Sequence, residues 1–270
     1  MRRSAPRLLL LLVLAASAAR AEDPRQEEFD GLVEAIRDTY GVAVRFENQD
    51  YPVKCSTYEI RAENPEREEV LAYAGTLREF TLYSKGLVKK SGIREVVLAR
   101  KIVFKDARYE QARAAVPAFE RDALYLDVVG GGAEARDRAH ILHHEFFHAV
   151  DWKDDGELYG DAKWSKLNAE AFKYGSGGAE LRDDDAGVLT DEFPGFLTRY
   201  ARSGVEEDKA ETFSWLVVEP ETVLKRAKKD KVLGKKVEAL KELLATAAKD
   251  VDEGWWKGIR AVRKREAAEK

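Results

Sequence analysis

All four histidines of this 270-residue chain, His140, His143, His144 and His148, fall within nine residues. Inside that window stands His144-Glu145-Phe146-Phe147-His148, an H-E-x-x-H motif. It constrains the fold because its two histidines act together only on a helix. Four residues apart, they lie about 6 Å apart along one face, and both rings can reach one zinc ion at about 2.0–2.1 Å. Glu145 sits beside them, placed to take a proton from a water that the metal activates for attack on a carbonyl. Ile141, Leu142, Phe146, Phe147, Ala149 and Val150 give such a helix a buried body, and the pattern predicts it over residues 134–152.

Around this helix the chain changes character three times. Asp23-Pro24 is a cap-and-start signal for a helix that runs to Tyr40 and stops at Gly41. Residues 42–46 alternate like a strand, and Asn64-Pro65 opens a second amphipathic helix reaching Tyr83, with Val70, Leu71, Ala74, Leu77 and Phe80 on one face. Between 93 and 128 the pattern predicts strands at 93–98, 102–104 and 123–129, the last ended by Gly130-Gly131-Gly132 and suited to an edge that holds an extended peptide. Residues 153–190 are rich in Gly, Asp and Lys, an irregular length that usually marks a functional or mobile segment. An amphipathic helix follows over 205–218. The last third is helical, with Val237, Leu240, Leu244 and Ala247 on one face and a basic run from Lys225 to Lys236 that reads as a solvated face.

A catalytic zinc needs a third protein ligand and one open position. A third histidine six residues past the motif, preceded by a glycine, is excluded, because those positions are Asp154 and Asp151. An aspartate just after the helix, Asp154 or Asp155, is one alternative, and a carboxylate on a later helix is the other. The better candidate is in the later helix, where Glu207 and Glu211 are four apart and share a face. Glu207 would bind zinc, Glu211 would support a ligating histidine, and Glu206 is the alternative one residue earlier. Read blandly, these carboxylates are an acidic first turn, which is favourable at a helix N-terminus. Ligating histidines donate their other ring N–H to a carboxylate or carbonyl. Asp151, three residues past His148, shares its face and is a candidate for that role. His143 points about 100° away from His144 and reads as structural. His140 as a further ligand would fill the open position.

With Tyr200-Ala-(x4)-Glu206-Glu207-Asp208-x-Ala210-Glu211-x-Phe213 added to the histidine motif, the chain resembles the gluzincin pattern of the anthrax lethal factor peptidase domain and of Mlc titration factor A-type peptidases. The resemblance covers residues 123–218. It implies an α+β, zincin-like metallopeptidase fold with a small mixed sheet and a helical C-terminal part. It also implies Zn2+ on His144, His148 and Glu207, with Glu145 as general base, Tyr200 stabilising the oxyanion and Glu211 orienting a histidine. Ser203-Gly204 stands where the family often has Thr-Asn, and Lys209 where it often has an aromatic residue. The expected organisation is a signal peptide at 1–21 and a single metallopeptidase domain at 22–270, with a zincin core at 93–218 and a helical extension at 219–270. The expected activity is hydrolysis of a peptide or protein substrate. The alternative is a catalytically silent zinc-binding module used for partner recognition.

Charge and cysteine usage narrow the class further. Arg2, Arg3 and Arg7 precede a short apolar run at 8–16, and Ala19-Arg20-Ala21 supplies a small-x-small cleavage pattern. The run is too short to span a bilayer, so export to the periplasm or the medium, with no stable membrane anchor after cleavage, is expected. Cleavage there removes four arginines and moves the formal net charge from −4 to −8. Such an acidic chain is a poor nucleic-acid binder. Cys55 is the only cysteine, so no internal disulfide forms.

Overall fold

The structure, a computed structural model, describes residues 23–269 apart from 133, 157–158, 179–180 and 182–184. The leader expected at 1–21 lies outside the described residues. No helix among them is long and apolar enough to cross a membrane.

The N-terminal signals act as read. Asp23 caps α1 (Pro24–Tyr40) by accepting a hydrogen bond from the Arg25 amide, and Gly41, at φ +70°, ends it with its own N–H on the Arg37 carbonyl. β1 (Ala43–Arg45) follows. A hairpin of β2 (Val53–Lys54) and β3 (Tyr58–Glu63) comes next, which the hydrophobic pattern did not predict. The second predicted helix is broken in three. Glu66 and Glu69 cap each other to start α2 (Arg67–Ala72). At Tyr73, with ψ −4°, the amide bonds to more than one preceding carbonyl, and the chain restarts as α3 (Ala74–Glu79) and then a 3-10 turn, Phe80–Leu82. α4 (Lys85–Ser91) is capped by Ser84.

The strands predicted at 93–98 and 102–104 are one strand, β4 (Glu95–Asp106), bent where Lys101 takes φ +54°. Its first half lies between β1 and β7 (Ala123–Asp127), parallel to both. Its second half pairs antiparallel with β3 and with β5 (Glu110–Ala112). Buried Asp127 holds this junction. One carboxylate oxygen accepts the Ile102 amide at 2.9 Å, and the other accepts the Val129 and Gly130 amides at 3.0 Å. The strand expected at 123–129 as an edge is interior, because β6 (Ala115–Ala118) pairs outside it and takes the edge. Among the described residues the result is an α+β fold with a mixed sheet of seven strands and a helical C-terminal part.

The sheet and α1–α4 receive α5 (Ala135–Asp155), whose Leu142, Phe146, Phe147 and Val150 are fully buried. Each side chain of that kind contributes roughly 1.5–3 kcal/mol by leaving water. After a short helix, α6 (Ala162–Ser165), comes α7 (Val205–Val218), on which α5 packs; it is not the amphipathic helix expected, because residues 205–217 are buried throughout. The C-terminal helices α8 (Pro220–Ala227), α9 (Lys231–Ala247) and α10 (Glu253–Ala268) cover it. The polar residues of α7 therefore need internal partners. Asp208 accepts hydrogen bonds from Trp164 Nε1 (2.8 Å) and Tyr174 Oη (2.5 Å) and pairs with Lys236 Nζ at 2.7 Å. That pairing corrects the solvated reading of the basic run. Lys236 is fully buried, and Arg226 donates to the carbonyls of Thr190, Phe196 and Leu197.

A second buried ion pair ties α10 to the histidine helix. Arg263 reaches Glu79 at 2.5 Å, and His143, between Glu79 (2.9 Å) and Tyr83 Oη (2.6 Å), shares the carboxylate. Burial works against the Glu79 charge, but the hydrogen bonds from Arg263 and His143 outweigh it and hold the carboxyl at about 2. A depressed carboxyl stabilises the fold fully above its unfolded value near 4.5 and loses that contribution as pH falls toward 2. We expect urea unfolding between pH 5 and 2.5 to show a loss about 2 kcal/mol larger than Glu79→Gln shows over the same range.

Candidate metal centre

Helical spacing on α5 and a buried first turn on α7 bring three ligand atoms together. His144 Nε2 lies 2.9 Å from Glu207 Oε2 and 3.1 Å from His148 Nε2, and His148 Nε2 lies 3.4 Å from the same carboxylate oxygen. All three residues are buried. Four ligands at about 2.0–2.1 Å around a tetrahedral zinc stand roughly 3.3 Å apart, so these three edges match one face of that tetrahedron. Two ring nitrogens and a carboxylate oxygen converging in a buried space could hold a metal ion by chemistry as well as by distance.

Two of the three groups, His144 and Glu207, are held from behind. Glu211 Oε1 is 2.9 Å from His144 Nδ1, so Glu211 accepts from the Nδ1–H and turns Nε2 toward the centre. Glu211 is itself fixed by Thr198 Oγ1 (2.8 Å) and Trp215 Nε1 (3.2 Å), both donating to Oε2. Burial disfavours the Glu211 charge, but His140 and His144 overcome it and hold the carboxyl at about 2. The same competition leaves Glu207 well below the usual carboxylate range. For His144, burial is outweighed by hydrogen bonds to both glutamates.

Tyr200, in a 3-10 turn (Tyr200–Arg202), donates to Glu207 Oε1 at 3.0 Å. Glu145 stands half-buried beside the ligands with no hydrogen-bond partner among the described residues, and desolvation pushes its carboxyl up. Asp151 is placed differently from expectation. Its Oδ1 accepts from Lys209 Nζ at 2.7 Å, while its Oδ2 and His148 Nδ1 are both buried without a partner. Glu206, the alternative ligand, does not join the three. Asp154 pairs with Lys90 away from them at 3.1 Å. His143 is structural, as read.

His140 stacks on Trp215 with ring centroids 4.3 Å apart, and its Nε2 lies 3.0 Å from Glu211 Oε1, out of line for a hydrogen bond. His140, His144 and Glu211 thus form a second set of converging groups. It would use His144 through the nitrogen that already serves Glu211, and so it competes with the hydrogen bond that orients the first set. A groove of about 740 Å³ lined by Thr190, Lys225, Arg226 and neighbours contains none of these residues.

The irregular segment borders the centre. The Gly175 and Gly177 amides donate to the Arg202 and Ser203 carbonyls, which lays 175–178 alongside the tyrosine turn. A Cβ on Gly178 would stand 2.1 Å from both Tyr200 Oη and Glu207 Oε1. Gly178→Ala must therefore push those two groups apart. We expect it to weaken zinc binding by about tenfold, the scale of a disturbed ligand support, in a chelator competition, with the far-UV circular dichroism unchanged. Sequence reading missed Gly178 and Thr198 because loop residues reach the site through tertiary contact, and it met Lys209 only as a departure from the family pattern. Trp215, four residues beyond Glu211 on one helix, was legible by spacing.

No family model and no curated protein matches the chain. Among solved structures it is similar to a candidate zinc-binding metallo-peptidase from Bacteroides caccae, with a TM-score of 0.56 and 16% identity over 93% of this chain and 97% of that one. At that identity the likeness is one of fold: the chain shares the α+β architecture of that structure.

Proposed function

We propose that this chain is an exported, zinc-dependent peptidase of gluzincin type, with His144, His148 and Glu207 as ligands and a peptide or protein as substrate. The observation that carries the reading is the 2.9–3.4 Å triangle of His144 Nε2, His148 Nε2 and Glu207 Oε2. Zinc held there would polarise a carbonyl and acidify a water. The chain's own residues do the rest. Glu145, free of other partners and with its carboxyl pushed up by burial, takes a proton and delivers it to the leaving amine. Tyr200, its hydroxyl already at the centre, donates to the developing oxyanion. Glu211 fixes the His144 ring. Asp151, held by Lys209 and three residues past His148, keeps an oxygen without a partner, as His148 Nδ1 does.

The test is to measure zinc by elemental analysis and to assay the purified protein on a peptide library before and after chelation. One zinc per chain with cleavage lost on chelation and restored by zinc supports the peptidase. One zinc with no cleavage would point to a silent zinc-binding module.

A further inference from the structure

A groove of about 740 Å³ runs between residues 189–194 and the junction of α8 with α9, apart from the metal centre. Its lining carries both signs of charge, but only one of them is free. Asp191 pairs with Arg226 at 2.6 Å, and Asp230 accepts the Gly195, Val232 and Leu233 amides. Arg226 is spent on Asp191 and on the carbonyls of Thr190, Phe196 and Leu197. Lys225, Lys229 and Lys231 are exposed, and their side chains make no hydrogen bond or ion pair among the described residues. In a chain of formal net charge −4, three uncompensated lysines on one concavity make a local positive field that an anion can neutralise.

The rest of the lining selects the kind of anion. Leu189 and Phe193 are half-buried and Pro194 is exposed, which places apolar surface beside the lysines. The Phe193 ring carries Arg202 at 4.4 Å, so that face is not an open platform on which single-stranded nucleic acid could stack a base. Lysines are compact point charges rather than planar forks, and they suit separate carboxylates. An extended peptide sends successive side chains to opposite faces, so one segment can offer carboxylates to the lysines and apolar groups to Leu189 and Phe193. Arg202 itself makes no ion pair and belongs to the turn that bears Tyr200, so the groove wall touches the turn beside the metal centre.

We propose that this groove docks an extended acidic segment of a protein partner, with its carboxylates on Lys225, Lys229 and Lys231 and its apolar side chains on Leu189 and Phe193. Docking there does not depend on zinc, so its failure and the failure of the peptidase reading are separate results. The probe is a fluorescein-labelled peptide in which aspartate and glutamate alternate with leucine and serine, and its counterpart carries asparagine and glutamine at the acidic positions. Fluorescence anisotropy reads both affinities on the Glu145→Gln protein, a substitution outside the groove that preserves the probe.

Several solvent-screened charge contacts acting together predict an acidic probe bound about tenfold or more tightly than its amide counterpart. They also predict a loss of about 10–100-fold in Lys225→Glu/Lys229→Glu/Lys231→Glu. A matched triple elsewhere, Lys249→Glu/Lys257→Glu/Lys264→Glu, changes the net charge equally at exposed, unpaired lysines and should cost about threefold or less. Circular dichroism and the unfolding midpoint check that both triples fold. Lys225→Gln/Lys229→Gln/Lys231→Gln replaces the first if it does not, with a loss of about five- to tenfold expected. Equal affinity for the two probes, or equal losses in the two triples, overturns the proposal. Tighter binding of a single-stranded oligonucleotide of the same charge, lost in the groove triple, overturns the peptide assignment.

Discussion

Glu145→Gln should retain one zinc per chain and lower kcat/KM on a cleaved peptide by about 10²–10⁴-fold, the usual contribution of a positioned acid–base group. Glutamine keeps the size of the side chain but cannot accept the proton. The substitution breaks no internal hydrogen bond, because the carboxylate has none among the described residues. The unfolding midpoint should therefore move little, and the lost activity reports on proton transfer alone. Equal activity in the two forms would remove Glu145 from the reaction.

Glu207→Ala should have the largest effect on the metal. It deletes one of the three proposed ligand atoms and removes the partner of His144 Nε2 at 2.9 Å and of Tyr200 Oη at 3.0 Å. Glu211→Ala removes only the support behind His144, a change that typically weakens metal affinity about 10–100-fold. Chelator competition should thus rank the losses Glu207→Ala above Glu211→Ala. The reverse order, or equal small losses, would mean that the metal uses the His140–Glu211 side of the cluster.

What could be read from the sequence followed from local physics. The histidine helix was legible because four-residue spacing puts both rings on one face whatever surrounds them, and α7 was legible in its limits, Val205–Val218. Its burial was not legible. Glu206, Glu207, Asp208, Lys209 and Glu211 look like a solvated acidic turn until Trp164, Tyr174 and Lys236 arrive from elsewhere in the chain to satisfy Asp208. The strand at 123–127 was found, but its place inside the sheet depends on β6, a four-residue strand containing Pro117 with little periodicity of its own. The split of the predicted second helix at Tyr73 and the unbroken run of β4 through Lys101 are likewise tertiary outcomes. Ligand spacing is local, and the shell that supports it is not.

Anomalous diffraction collected on both sides of the zinc edge from crystals of the purified protein addresses the centre most directly. The expected result is one zinc peak about 2.0–2.2 Å from His144 Nε2, His148 Nε2 and a Glu207 oxygen, with Glu211 outside bonding distance. No peak, or one placed between His140 and Glu211, contradicts the account.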